Sequence, residues 1–201
     1  MSFTQTGTAA STPKKRIYFA YGSNLHLRQM AHRCPSSRFL GRAKLYGYRW
    51  QINERGYANI VRVPNYPRSV VQGLCYLLSR EDEERLDRSE GVPSAYQKKV
   101  LDIELFTAKA TLVGRDVSEI VDWPRGDVMD RAVVSGRRGQ GRKTGEMAEA
   151  LVYMSRHYVV DDLPKEEYVA RMRLGLRDML DLGISREYVA WVQGVLLGTE
   201  E

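Results

Sequence analysis

The chain has 201 residues, of which 43% are apolar and 28% charged, ordinary proportions for one substantial domain that buries its own core. Its net charge of +6 is mostly local. Six basic residues from Arg125 to Lys143 against Asp127 and Asp130 give that segment +4 and leave +2 for the rest, so the folded body carries no general nucleic-acid signature. No apolar run approaches a membrane span, and two cysteines, Cys34 and Cys75, cannot build a disulfide framework or a four-ligand zinc site.

Met1 to Pro13 is rich in Ser, Thr, Gln and Ala, with no apolar h-region and no Arg. It reads as neither a secretory signal nor a transit peptide. The expectation is a disordered leader over residues 1–15, a cytoplasmic location, and one domain over residues 16–198. Arg16 to Tyr21 has the apolar and aromatic density of a buried strand. The chain breaks at Gly22-Ser23-Asn24, and Leu25 to about Arg33 reads as a helix that Pro35 ends. A strand turning straight into a helix leaves unpaired N–H groups at the helix start, which suit a carboxylate or phosphate. The plainer reading is an ordinary helix start with Ser23 or Asn24 as N-cap.

Phe39 to Asn53 holds one long strand or two short ones. Tyr46, Tyr48 and Trp50 share parity and would lie on one face. Glu54-Arg55-Gly56 is a turn, and Tyr57 to Val63 is a strand closed by Pro64-Asn65-Tyr66-Pro67. Val70 to Leu78 is a strongly apolar strand in which Gly73 marks a bulge or a close backbone approach. Ser79-Arg80-Glu81-Asp82 resembles a capping box and launches a short helix through Leu86. Ser89 to Ala95 is a Gly/Pro loop, followed by an alternating strand from Tyr96 to Phe106.

Leu112 to Trp123 shows no decisive pattern. A basic, glycine-rich insertion near residues 124–147 reads as a solvated loop; from Arg125 onward it has no aromatic residue on which a base could stack. Ala148 to Met154 is again a strand. Pro164 suits a first helical position, Tyr168, Met172, Leu176 and Met179 recur at helical spacing, Gly183 ends that helix, and Ser185 caps a last one over Arg186 to Leu197. Many short strands with few helices make an α+β protein, not an alternating βαβ one. The sequence has no dinucleotide fingerprint, no GxxxxGK phosphate loop and no internal repeat.

Glu90 sits in the Gly/Pro loop between a helix and a strand, where a carboxylate is either simply solvated or placed for chemistry. Two segments bear on that choice: Tyr18-Phe19-Ala20-Tyr21-Gly22-Ser23-Asn24-Leu25, and Leu86-Asp87-Arg88-Ser89-Glu90-Gly91-Val92 with Tyr96 close behind. With Tyr153-Met154, Tyr158 and the two C-terminal helical stretches, they make the chain resemble the γ-glutamylcyclotransferase family over most of Arg16 to Tyr188. The loop from Glu90 to Tyr96 is one residue shorter than in the animal enzyme, and the segment from about Leu112 to Met147 looks like an insertion.

The resemblance implies a small, mostly antiparallel β-barrel flanked by helices. It implies an enzyme that cyclises the γ-glutamyl group of γ-glutamyl amino acids or peptides to 5-oxoproline and releases the amine, a carbon–nitrogen lyase or cyclising acyltransferase of glutathione-related metabolism. Glu90 would be the catalytic acid/base. Tyr21, Gly22, Ser23, Asn24 and Leu25 would hold the γ-glutamyl end, with Tyr96 and Tyr153 as supporting hydroxyls. No metal or organic cofactor is implied. The partner is a small γ-glutamyl molecule, with no membrane or nucleic acid, and the protein a monomer or homodimer. Two alternatives stay open: turnover of a specialised γ-glutamylated metabolite or glutathione adduct, and a non-catalytic binding domain on the same fold.

Overall fold

Alternating burial along nine residues of Arg38–Tyr46 and eleven of Gln97–Thr107 is the signature of strands with one face on a core, and the chain curls these strands into a closed barrel. The computed structural model describes residues 15–63, 69–122 and 145–199. All of the expected leader but Lys15, nearly all of the basic insertion, and Pro64 to Pro67 lie outside those residues.

Strands β1 (Arg16–Ala20), β2 (Arg38–Tyr46), β5 (Val70–Leu78), β6 (Gln97–Thr107) and β7 (Glu146–Met154) close in the order β1-β5-β2-β6-β7. Four of the joins are antiparallel, and β1 meets β7 in parallel at Tyr18 and Leu151. Strands β3 (Tyr48–Ile52) and β4 (Ala58–Arg62) form a separate hairpin. The helices are α1 (Leu27–Arg33), α2 (Arg80–Ser89), α3 (Val117–Ile120), α4 (Glu166–Asp181) and α5 (Arg186–Leu197). Among the described residues no helix is long and apolar enough to cross a membrane.

The core joins Phe19, Phe39, Tyr76 and Leu74 of the barrel to Met172, Leu176 and Met179 of α4. Its driving term is the burial of these apolar surfaces. Gly73 is a close approach: a Cβ there would stand 2.2 Å from the Ala20 carbonyl oxygen and 2.8 Å from the Phe19 ring. The register shift lies instead in β2, between Phe39 and Gly41.

Three expectations are corrected. Tyr46, Tyr48 and Trp50 do not share a face. Gly47 (φ +78°) turns the chain between β2 and β3, leaving Tyr46 51% exposed while Trp50 is 2% exposed; parity does not survive a turn. Pro164 is not the first residue of α4, which begins at Glu166 with Lys165 as its cap. The last strand starts at Glu146, before Ala148, because Leu105 and Glu104 of β6 continue to pair there. Ser79 behaves as its sequence suggests. Its hydroxyl accepts the Asp82 N–H at 3.1 Å while the Asp82 carboxylate reaches back to the Ser79 N–H.

Candidate active site

The end of β1 and the end of α2 converge on one cavity of about 290 Å³. It lies at the lower end of the roughly 300–1,000 Å³ typical of small-molecule sites. On one wall β1 runs out at Ala20 and the chain makes a single 3₁₀ turn, Ser23–Leu25. Neither Ser23 nor Asn24 caps a helix through its side chain, so the plainer sequence reading fails. The first N–H of α1, on Leu27, is taken by the Asp178 carboxylate from α4 at 2.8 Å. The helix start therefore already holds an anion, and it comes from the protein.

Asn24 turns into the fold instead. Its Nδ2 donates to the Tyr18 hydroxyl (2.9 Å) and to Glu90 Oε1 (3.1 Å). Its Oδ1 accepts from Gln29 (3.1 Å) and Arg33 (2.8 Å), and its backbone carbonyl accepts the Tyr76 hydroxyl. A buried amide with every polar atom engaged holds one orientation, and it fixes whatever it touches.

Glu90 is what it touches. The residue caps the C-terminus of α2, its N–H returning to Leu86 O at 2.8 Å. One turn earlier, Asp87 accepts the Tyr153 hydroxyl (2.7 Å) and Lys98 Nζ (2.8 Å), which bind the end of α2 to β7 and β6. The Glu90 side chain is 19% exposed and lies 3.7 Å from Arg33 Nη1. Burial pushes its carboxyl above the usual carboxylate range, although Arg33, the Asn24 amide and Arg171 each pull the other way. A raised carboxyl that keeps an amide partner can accept a proton and give it back.

The sequence-named residues Tyr21, Gly22, Ser23, Asn24, Glu90, Tyr96 and Tyr153 all line this cavity. Leu25 does not. It is core, 1% exposed, its Cβ packed 3.0 Å from the position a Cβ on Gly175 of α4 would take. The tyrosine hydroxyls are committed: Tyr21 donates to the Tyr153 carbonyl, Tyr96 to the Ala58 carbonyl (2.8 Å) and Tyr153 to Asp87. Burial pushes all three well up, so they stay protonated.

The sequence did not single out Tyr18, Arg33, Arg55, Tyr57, Arg88, Tyr168 or Arg171 as cavity residues, yet all line it. Tyr168 was visible only as part of an apolar stripe. Its ring does pack inward, but its hydroxyl oxygen reaches Gly22, 3.0 Å from where a Cβ there would sit. Among the described residues there is no group of three or more metal-ligating side chains.

The family model described as gamma-glutamyl cyclotransferase, AIG2-like matches residues 18–169. The chain belongs to this γ-glutamylcyclotransferase family. A mouse gamma-glutamylcyclotransferase is 29% identical over 108 residues, covering 50% of this chain and 57% of the mouse protein, so the match spans little more than half of that relative. Among solved structures, one described as gamma-glutamyl cyclotransferase superposes with a TM-score of 0.62 at 18% identity, covering 90% of this chain and 87% of its own. The Bacillus subtilis protein YkqA gives 0.59 at 18%, covering 91% and 54%. At those identities the structures speak for the fold, an α+β barrel of the family type. In this family member the two motifs lie about seventy residues apart in sequence and are joined by one hydrogen bond, from Asn24 to Glu90.

Proposed function

We propose that the protein is a γ-glutamylcyclotransferase that converts γ-glutamyl amino acids or peptides to 5-oxoproline and a free amine, with Glu90 as acid/base. The observation that carries the reading is a part-buried carboxylate with a raised pKa, clamped by Asn24 and lining, together with the Gly22–Asn24 turn, a cavity of small-metabolite size.

The γ-glutamyl head group lies along the turn from Tyr21 to Asn24, which lines the cavity. Its α-amine nitrogen attacks its own γ-carbonyl carbon. Glu90 takes a proton from that nitrogen as the new C–N bond forms and delivers it to the departing nitrogen as the old amide bond breaks. The charge that builds on the γ-carbonyl oxygen is met by N–H donors of the turn. Because the ring closure is intramolecular, holding the substrate folded supplies much of the rate. The committed tyrosine hydroxyls shape the wall and do not titrate. Nothing in these steps calls on a cofactor.

Incubating the protein with a panel of γ-glutamyl compounds and following 5-oxoproline by mass spectrometry tests the reading. Release from at least one γ-glutamyl amino acid is expected, and its absence from the whole panel would sink the proposal.

Arg33 supplies a second check. Its cation favours the ionised form of Glu90, so Arg33→Gln raises the Glu90 pKa further. A base must be ionised to act, so the acid limb of the kcat/KM–pH profile is expected to move to higher pH in the variant. An unmoved limb would remove Glu90 as the titrating base.

A further inference from the structure

The cavity carries more positive charge than a γ-glutamyl head group requires. Arg33, Arg55, Arg88 and Arg171 line it, against Glu90 as the lone carboxylate on its wall among the described residues. These cations are not equivalent. Arg33 is spoken for by Asn24 and Glu90. Arg171 pairs with Glu167 at 2.8 Å, and the same carboxylate also accepts the Tyr57 hydroxyl. Arg55 and Arg88 have no carboxylate partner among the described residues.

Arg55 is the more telling of the two. Its guanidinium stands over the Tyr158 ring at 5.0 Å and the Tyr57 ring at 5.8 Å. Ring stacking uses the flat face of a guanidinium and leaves its in-plane N–H donors unspent. One of its nitrogens, Nη1, is buried with no hydrogen-bond partner. A buried, charged donor left unmatched is unfavourable, and a carboxylate is the group whose geometry fits a guanidinium edge. The turn from the β3–β4 hairpin therefore presents a fixed, unneutralised cation beside the head-group site, with Arg88 exposed at the end of α2.

We propose that Arg55, assisted by Arg88, is the specificity element for the departing half of the substrate, and that this half is anionic: an amino acid or short peptide held by its carboxylate, dicarboxylic amines being taken best and polyamines rejected. This rests on the cyclotransferase reading and adds the class of leaving group to it. The head-group turn and Glu90 treat every γ-glutamyl compound alike, so discrimination falls to the cationic wall.

The test is kcat/KM for γ-glutamyl-glutamate, γ-glutamyl-alanine, γ-glutamyl-alaninamide and γ-glutamyl-putrescine, with wild type, Arg55→Gln and Arg55→Lys, each checked for folding by thermal melting. Wild type is expected to favour γ-glutamyl-alanine over its amide by roughly 10-fold or more, the scale of one charge-assisted hydrogen bond. It should favour the glutamate compound further and leave the putrescine compound last. Arg55→Gln should lose that order, its loss of rate falling at least roughly 10-fold more heavily on γ-glutamyl-alanine than on the alaninamide; Arg55→Lys should keep most of it.

Equal wild-type turnover of the acid and the amide, or an order that survives in a folded Arg55→Gln protein, overturns the anionic subsite while 5-oxoproline still upholds the cyclotransferase. If no compound is cyclised, the cyclotransferase reading fails. Calorimetric binding of γ-glutamyl-glutamate against its diamide then decides the subsite by itself: tighter binding of the acid, abolished by Arg55→Gln, supports it, and equal binding overturns it. If Arg55→Gln does not fold, the acid-over-amide ratios of wild type and Arg55→Lys decide it.

Discussion

Replacing Glu90 by Gln is expected to lower kcat for 5-oxoproline release by about 10²–10⁴-fold, the range that a positioned general acid/base contributes, while leaving the protein folded and at least as stable at pH 7. The isostere keeps an oxygen for the Asn24 amide, which lies 3.1 Å from Glu90 Oε1, but it cannot take the proton from the attacking nitrogen. The stability half follows from the direction of the pKa. Burial raises the folded carboxyl above its unfolded value despite Arg33, Asn24 and Arg171. Between the two values the folded protein binds more protons than the unfolded chain, so stability falls as pH rises through that window. Above that window the ionised carboxylate is a net cost that the amide does not carry. Below the ordinary carboxylate pKa of about 4.3 both proteins are neutral at this position and the difference closes. Melting curves at pH 7 and near pH 4, beside a 5-oxoproline assay, check both halves. Wild-type turnover by the variant ends the catalytic role for Glu90. A melting point several degrees below wild type at pH 7 ends the account of its pKa.

The parts of this site legible in the sequence are those whose chemistry is local. Gly22-Ser23-Asn24 announces a break after a strand, and Glu90-Gly91 announces a loop after a helix. Each motif stays adjacent to itself whatever the rest of the chain does. The hydrogen bond that joins them is not local, since it depends on how β1 and α2 pack. Nor is the ring of arginines. Arg33 ends an exposed-looking helix, Arg55 sits in a turn, Arg88 and Arg171 lie on helices of mixed charge, and in each place a solvated cation is the ordinary expectation. Only the packing of the helices and the β3–β4 hairpin brings them to one cavity. Tyr168 shows the limit most plainly: its helical spacing correctly gives it to the core, and spacing carries no information about where the hydroxyl of a buried ring ends. The strand order was hidden for a similar reason. The join of β1 to β7 is made by residues 133 positions apart, Tyr18 and Leu151, and each strand reads the same whichever neighbour it finds. Gly47 is a lost opportunity, because a glycine between two aromatic strands could have warned that the shared parity of Tyr46 and Trp50 ends there.

Gly73→Ala is expected to destabilise the protein by about 3 kcal/mol or more, at or beyond the upper end for overpacking a core, and to disturb the site without touching it. That corresponds to a fall in Tm of roughly 6–12 °C for a chain of this size. The methyl group would meet the Ala20 carbonyl oxygen at 2.2 Å and the Phe19 ring at 2.8 and 2.9 Å. A backbone oxygen cannot rotate aside, and Phe19 is wholly buried. Relief must come from β1 moving away from β5, against the pairing of Ala20 with Leu74. Ala20 is the last residue before Tyr21 and Gly22, so the shift passes directly into the turn proposed to hold the head group. A folded Gly73→Ala protein should therefore show a raised KM for γ-glutamyl substrates as well as a lower melting point. Gly47→Ala separates crowding from backbone conformation. Gly47 has φ +78° and nothing within 4 Å of its would-be Cβ. Its substitution costs only the left-handed backbone penalty of roughly 1–2 kcal/mol and leaves KM unchanged, because the turn lies between β2 and β3, outside the cavity wall. Thermal melts and KM values for both variants provide the comparison. If Gly73→Ala melts no lower than Gly47→Ala, the close approach of β5 to β1 is not what sets the height of the head-group turn.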